Sequence, residues 1–157
     1  MNLKYVPDYK NEAIIKDIIT KLGLDYINSD QIKCVLSYKS SSKRVIARLH
    51  PSLRVFTYAF DSKPLYIIEL ISEKFNKLSE KDQIKVLIHE LMHIPKTFSG
   101  AARDHSKMGN MSSNGKMSKY LNSNCKTVDN LLKEYYLKSG KDFKEQGLFE
   151  RFSNLLR

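Results

Sequence analysis

Two histidines and a glutamate stand close together in the run His89-Glu90-Leu91-Met92-His93. On a helix, side chains four residues apart lie on the same face one turn apart, so both imidazoles can reach one metal ion. The intervening carboxylate points beside that ion, where it can accept a proton from an attacking water. The spacing therefore predicts a metal-dependent hydrolytic site with His89 and His93 as ligands and Glu90 as general base.

A catalytic zinc uses three protein ligands and keeps one position open. The chain contains only two further histidines, His50 and His105. A chain that turns at Pro95 and bends at Gly100 can bring His105 back to the ion. His50 is the weaker candidate, because it closes a predicted strand beside a proline. The residues alone leave three more candidates for the third ligand, namely Asp104, Cys125 and Glu134.

The element that must carry the motif is a helix over about residues 80–94. Ser79 is a good N-cap, and Asp82 lies in the first turn, where a negative charge is favourable. Apolar residues recur at helical spacing, and the helix should end before Pro95. The apolar stripe consists of Ile84, Leu87, Ile88 and Leu91.

The preceding residues predict one helix and three strands. Isoleucines at helical spacing indicate a helix over 12–22, closed by a glycine. Residues 32–38 and 45–49 read as two strands of a hairpin, and 65–71 as a third strand. The stretch 53–60 is ambiguous, with aromatic residues in period two. Together these elements predict an α+β fold.

Beyond the motif, residues 96–126 form a basic, Ser/Asn-rich segment with little periodicity, predicted to be irregular. A further helix is predicted over about 127–138 and a last amphipathic helix after Gly140. No repeat or second domain is evident, so residues 1–157 are expected to form a single domain.

Composition narrows the class of protein. The 157 residues are 41% hydrophobic, enough to bury a core, and no apolar run is long enough to span a membrane. The N-terminus lacks an apolar run of signal-peptide length, and two cysteines are too few for a disulfide scaffold. A cytoplasmic location is therefore expected.

The run of residues 88–100, followed by Arg103 and His105, resembles the predicted zinc metallopeptidases of archaea and their viruses, the putative phage metallopeptidase family. The likeness extends upstream to residues 42–48 and weakly downstream to 128–136, about two thirds of the chain.

The resemblance implies a zincin-like fold, in which a small, mostly antiparallel sheet packs on the motif helix and further helices follow. It implies Zn²⁺ as the metal, a polypeptide as substrate, and peptide-bond hydrolysis as the activity. Carried over to this chain, the zinc ligands are His89, His93 and His105, and Glu90 is the catalytic base.

Several supporting roles stay open at the level of sequence. The strand over 65–71 either pairs with an extended peptide substrate or lies inside the sheet. The candidates for stabilising the oxyanion are Arg103, Tyr120 and Tyr136. The candidates for fixing the imidazole tautomers are Glu69, Asp104 and Asp129.

The net charge of +10 supports two alternatives. A basic surface attracts nucleic acid, so the zinc could be structural or non-hydrolytic in a nucleic-acid-associated protein. A combined alternative is a protease that acts on DNA-bound proteins, as the SprT-like zinc proteases do. No zinc-finger or helix-turn-helix motif supports nucleic-acid binding.

Overall fold

The computed structural model describes residues 2–42, 45–104 and 117–141, with the main chain alone over 117–127. His105 and the helix predicted after Gly140 lie outside the described residues. The side chains of Tyr120 and Cys125 also lie outside them.

The described residues form an α+β fold with one four-stranded mixed sheet. The strands are β1 (Lys4–Pro7), β2 (Ile32–Tyr38), β3 (Ala47–Pro51) and β4 (Tyr66–Ile71). The helices are α1 (Tyr9–Leu22), α2 (Arg54–Ala59), α3 (Ser72–Phe75), α4 (Glu80–Met92) and α5 (Met117–Lys138), with a short 3₁₀ turn at Ser29–Gln31.

The sheet has the order β1-β2-β4-β3, so the predicted hairpin between β2 and β3 is wrong. β4 lies between them, parallel to β2 and antiparallel to β3, while β1 is antiparallel to β2. A strand that is buried along most of its length suits the centre of a sheet, and all residues of β4 except Ile67 are buried. Two strands that are consecutive in sequence are therefore separated by a third.

The main core lies on one face of the sheet. Alternate residues of β4 point into this core, and helices α1, α4 and α5 pack their apolar side chains against the same face of the sheet. Ala47 and Leu49 of β3 also pack against it, so the intervening Arg48 and His50 point to the opposite face. Central members of the core are Ile18, Cys34, Tyr66, Ile68, Leu70, Leu87, Ile88, Leu91, Val128 and Leu132.

The motif helix α4 begins where the sequence predicts. Ser79 is its N-cap, and the Ser79 hydroxyl accepts a hydrogen bond from the backbone N–H of Asp82. Its C-terminal end lies where β3 ends and β4 begins, because the loop that follows α4 contacts Tyr66. The apolar stripe is buried, which places the two motif histidines beside the sheet.

The loop after α4 is fixed to the start of β4 by Tyr66. The Tyr66 hydroxyl accepts a hydrogen bond from the N–H of Gly100 at 2.9 Å and donates one to the carbonyl of Ala101 at 3.0 Å. Gly100 has φ +76°, a left-handed conformation that favours glycine. The predicted bend at this residue is therefore confirmed.

Helix α5 begins at Met117, ten residues before the predicted start at Thr127. Its first part therefore belongs to the segment 96–126 that was expected to be irregular. The Ser- and Asn-rich composition of residues 117–126 hides the helix, because these residues favour turns when isolated. Within the described part of the chain, no helix is long and apolar enough to cross a membrane.

Replacing Tyr66 by phenylalanine should destabilise the fold. The change leaves the buried N–H of Gly100 without its partner, at a cost of about 1–3 kcal/mol. Urea unfolding measures the loss, and Tyr58→Phe on the exposed α2 is the matched control. Equal stability of the two variants would show that the Tyr66 hydroxyl does not hold this loop.

Candidate metal centre

The two motif histidines face each other at the end of α4. His89 Nε2 and His93 Nε2 are 3.3 Å apart, and the two rings meet edge to face. Both side chains belong to buried residues. The predicted pairing of these imidazoles on one helix face is therefore present.

His93 is oriented by the loop that returns to it. Its Nδ1 donates a hydrogen bond to the carbonyl of Arg103 at 2.8 Å. The N–H of Arg103 in turn donates to the carbonyl of His93 at 2.7 Å. A proton held on Nδ1 leaves Nε2 unprotonated, which is the form that binds a metal.

The separation of the two nitrogens fits a zinc ion. Two nitrogens bound at about 2.05 Å with a tetrahedral angle between them lie roughly 3.3 Å apart. The distance between His89 Nε2 and His93 Nε2 is the same. Among the residues whose side chains the structure describes, no three His, Cys, Asp or Glu side chains form a metal cluster. The described side chains thus include two candidate ligands.

Glu90 is buried beside the pair, with 5% of its surface exposed. Burial raises the pKa of Glu90 to about 7, although a hydrogen bond from the backbone N–H of Leu49 opposes the rise. A carboxyl group with a pKa near neutrality can both accept and return a proton. This is the property that a general base requires.

His50 lies on the other face of the sheet from α4. Its Nε2 is 2.7 Å from the carboxylate of Glu69, and Arg48 Nη1 is 3.6 Å from the same oxygen. This placement separates His50 from His89 and His93 by the sheet itself. It also removes Glu69 from the candidates that could orient the motif histidines.

Three further candidates with described side chains lie in other contacts. Glu134 pairs with Lys138 at 2.6 Å, and Asp129 pairs with Lys85 at 2.5 Å. Tyr136 lies close to Glu80, at the opposite end of α4 from the histidines, and burial raises its pKa.

Arg103 orients His93 through its backbone carbonyl, and its side chain bonds to the end of α4. One Nη atom of its guanidinium donates to the carbonyl of Met92 at the end of α4, at 2.5 Å. The group that orients His93 is the backbone carbonyl of the same residue. Sequence reasoning missed this partner, because every residue carries a backbone carbonyl and no residue type signals it.

The strand over 65–71 lies inside the sheet. β4 is paired on both sides, so it has no free edge for a peptide, and the alternative of an internal strand is correct. Of the two edge strands in the described sheet, β1 and β3, it is β3 that contacts α4. The carbonyl of Ile46 accepts a hydrogen bond from the N–H of Ile71, and the N–H of Ser52 donates to the carbonyl of Leu65, so both residues point towards β4 and the residue before it. By alternation, the N–H and C=O of Leu49 point away from β4. On this outward side, the N–H of Leu49 donates a hydrogen bond to the carboxylate of Glu90.

A buried histidine pair, a neighbouring carboxylate and a nearby edge strand are features that metallopeptidase sites share. The model of a family described as putative phage metallopeptidase matches residues 3–136. This match spans most of the chain, so the protein belongs to that family, as the sequence resemblance predicted. The family's name implies a metal ion and a polypeptide substrate. Neither a curated protein nor a solved structure matches the chain.

The metal-free protein should gain stability at pH 8 when Glu90 is changed to glutamine. Folding raises the pKa of the Glu90 carboxyl group. The contribution of this carboxyl group to the free energy of unfolding is therefore fully present below pH 4.5 and is lost as the pH rises through about 7. Glutamine cannot ionise, so Glu90→Gln should gain on the order of 3 kcal/mol at pH 8.

Urea unfolding in EDTA at pH 8 and pH 4 measures this difference, which should be small at pH 4. Glu134→Gln, at a more exposed carboxylate, is the control and should change stability little at either pH. If Glu90→Gln instead destabilises the protein at pH 8, burial does not disfavour the ionised form of Glu90, and the raised pKa is wrong.

Proposed function

We propose that this protein is a zinc-dependent peptidase in which Glu90 is the general base. The observation that carries the proposal is the 3.3 Å separation of His89 Nε2 and His93 Nε2. Its second support is the hydrogen bond from His93 Nδ1 to the Arg103 carbonyl, which leaves Nε2 unprotonated. A pair prepared in this way has the donor atoms that zinc prefers.

His89 and His93 would hold the zinc, with His105 as the third ligand. His105 follows Arg103 by two residues, and the main chain of Arg103 is bonded to His93 in both directions. The path of the described chain therefore arrives beside the pair just before residue 105. When bound, zinc would supply Lewis acidity towards the attacking water and the scissile carbonyl.

Glu90 would accept the proton of the water and return it to the leaving amine. Its carboxyl group is held by the N–H of Leu49, so its position is set by the edge strand as well as by α4. Burial excludes bulk water from this group, which keeps its pKa near the value at which transfer in both directions is efficient.

The polypeptide substrate would bind along β3. The outward N–H of Leu49 is taken by Glu90, so a peptide would pair with the outward C=O of Leu49 and with the outward N–H and C=O of Ala47, as in strand addition. This arrangement would bring a peptide bond next to Glu90. Helix α4 and β3 would then form the two sides of the cleft.

Zinc content tests the ligand assignment. The wild-type protein should bind one zinc per chain, and His93→Ala and His105→Ala should each lower zinc occupancy sharply, because two ligands hold the ion poorly. His50→Ala is the matched control and should keep the metal, since His50 lies on the opposite face of the sheet. Loss of zinc in His50→Ala with retention in His105→Ala would reassign the third ligand.

Hydrolysis tests the role of Glu90. Glu90→Gln should keep the zinc but lose activity on unfolded casein by about 10²-fold or more, because the proton acceptor is gone. Zinc content and the rate of peptide release are measured on the same preparation. A variant that keeps full activity would remove Glu90 from its role, and a wild-type protein that binds zinc without hydrolysing peptides would support the non-hydrolytic alternative.

A further inference from the structure

The segment after the edge strand exposes an unusual set of apolar side chains. Five large apolar residues within residues 53–60 each expose between 54% and 91% of their surface. They are Leu53, Val55, Phe56, Tyr58 and Phe60. Phe56 and Phe60 stack with their ring centroids 6.0 Å apart. Contiguous exposed apolar surface of this kind marks a binding site in a stable protein.

This segment lies at the same end of the sheet as the candidate metal centre. It leaves the sheet at Ser52, whose N–H donates to the carbonyl of Leu65 at 2.8 Å. Gly100, in the loop that follows α4, packs close to the Ser52 side chain and to Pro64. The base of the segment is therefore in contact with the loop that leads to Arg103.

The segment begins two residues after β3 ends at Pro51 and then forms helix α2. Leu49, which contacts Glu90, and Leu53 are four residues apart along the chain. At the rise of an extended strand this separation is about 13 Å, the length of roughly four residues of a paired peptide. A peptide that pairs with β3 and extends past Pro51 would reach Leu53, where the exposed segment begins, about four residues from the bond next to Glu90.

We infer that residues 53–60 bind apolar side chains of the polypeptide substrate and so select for them. The preferred substrate is an extended or unfolded chain with aromatic or aliphatic residues about four positions or more from the scissile bond. Burial of such side chains against Phe56 and Phe60 removes apolar surface of both partners from water. The inference rests on the proposed peptidase function, because the edge strand and Glu90 fix the position of the peptide.

The test uses two internally quenched peptides that share a scissile sequence identified in a digest of unfolded casein. One peptide carries Leu and Phe at successive positions starting about four residues from the scissile bond, and the other carries Ser and Gln at the same positions. The wild-type protein with zinc should prefer the apolar peptide by about tenfold in kcat/KM. In the double variant Phe56→Ser, Phe60→Ser, the ratio between the two peptides should fall towards one.

Leu137→Ser is the matched control, since Leu137 is 81% exposed on α5 and lies outside the segment. This variant should keep the wild-type ratio. Equal cleavage of both peptides by the wild-type protein, or the same fall in the ratio for Leu137→Ser, would overturn the inference.

A binding measurement separates this inference from the proposed function. Fluorescence anisotropy with Glu90→Gln should show tighter binding of the labelled apolar peptide, and the Phe56 and Phe60 changes should abolish that difference. If the wild-type protein hydrolyses neither peptide but this binding pattern holds, the peptidase proposal fails and the binding surface stands. If hydrolysis occurs without any preference in rate or binding, the inference alone fails.

Two other occupants of the surface are distinguished by simple measurements. Light scattering would reveal a dimer that becomes monomeric on Phe56→Ser, Phe60→Ser, which would assign the surface to a second copy of the chain. Co-sedimentation with phosphatidylcholine vesicles that is lost in the same variant would assign it to a lipid surface. Either result would overturn assignment to the substrate.

Discussion

The hydrogen bond from His93 Nδ1 to the Arg103 carbonyl decides what the other nitrogen of that ring can do. It holds the proton on the side away from His89, so the two Nε2 atoms can face each other at 3.3 Å. The bond needs the loop after α4 to return to the helix end, and this return depends on Gly100 and on the hydroxyl of Tyr66. The candidate metal centre is therefore a property of the loop as much as of the motif.

Two buried glutamates show how environment sets chemical role. Glu69 and Glu90 expose 1% and 5% of their surface, yet their pKa values shift in opposite directions. Burial raises both, but at Glu69 the hydrogen bond from His50 and the charge of Arg48 outweigh it and hold the pKa below its ordinary value. Glu69 is thus fixed as a charged structural group, while Glu90 can exchange a proton.

Because β4 lies between β2 and β3, β3 is an edge strand, and its residues contact both Glu69 and Glu90. Because β3 is an edge strand, Leu49 can offer its N–H to Glu90 on one side, and its neighbours Arg48 and His50 pair with Glu69 on the other face. The same strand order makes β3 an edge strand, so the backbone groups of Ala47 and the C=O of Leu49 face away from the sheet. A hairpin of β2 and β3 would have covered this edge and left no place for an extended peptide next to the site.

The sequence by itself determined the features that depend on local patterns. The bounds of α4, the cap at Ser79, the run of β4 and the common face of His89 and His93 follow from helical spacing, capping and strand composition. Tertiary structure alone decided the strand order, the separation of His50 from the motif and the use of the Arg103 carbonyl. These features depend on contacts between residues distant in sequence, and on main-chain atoms that all residues share.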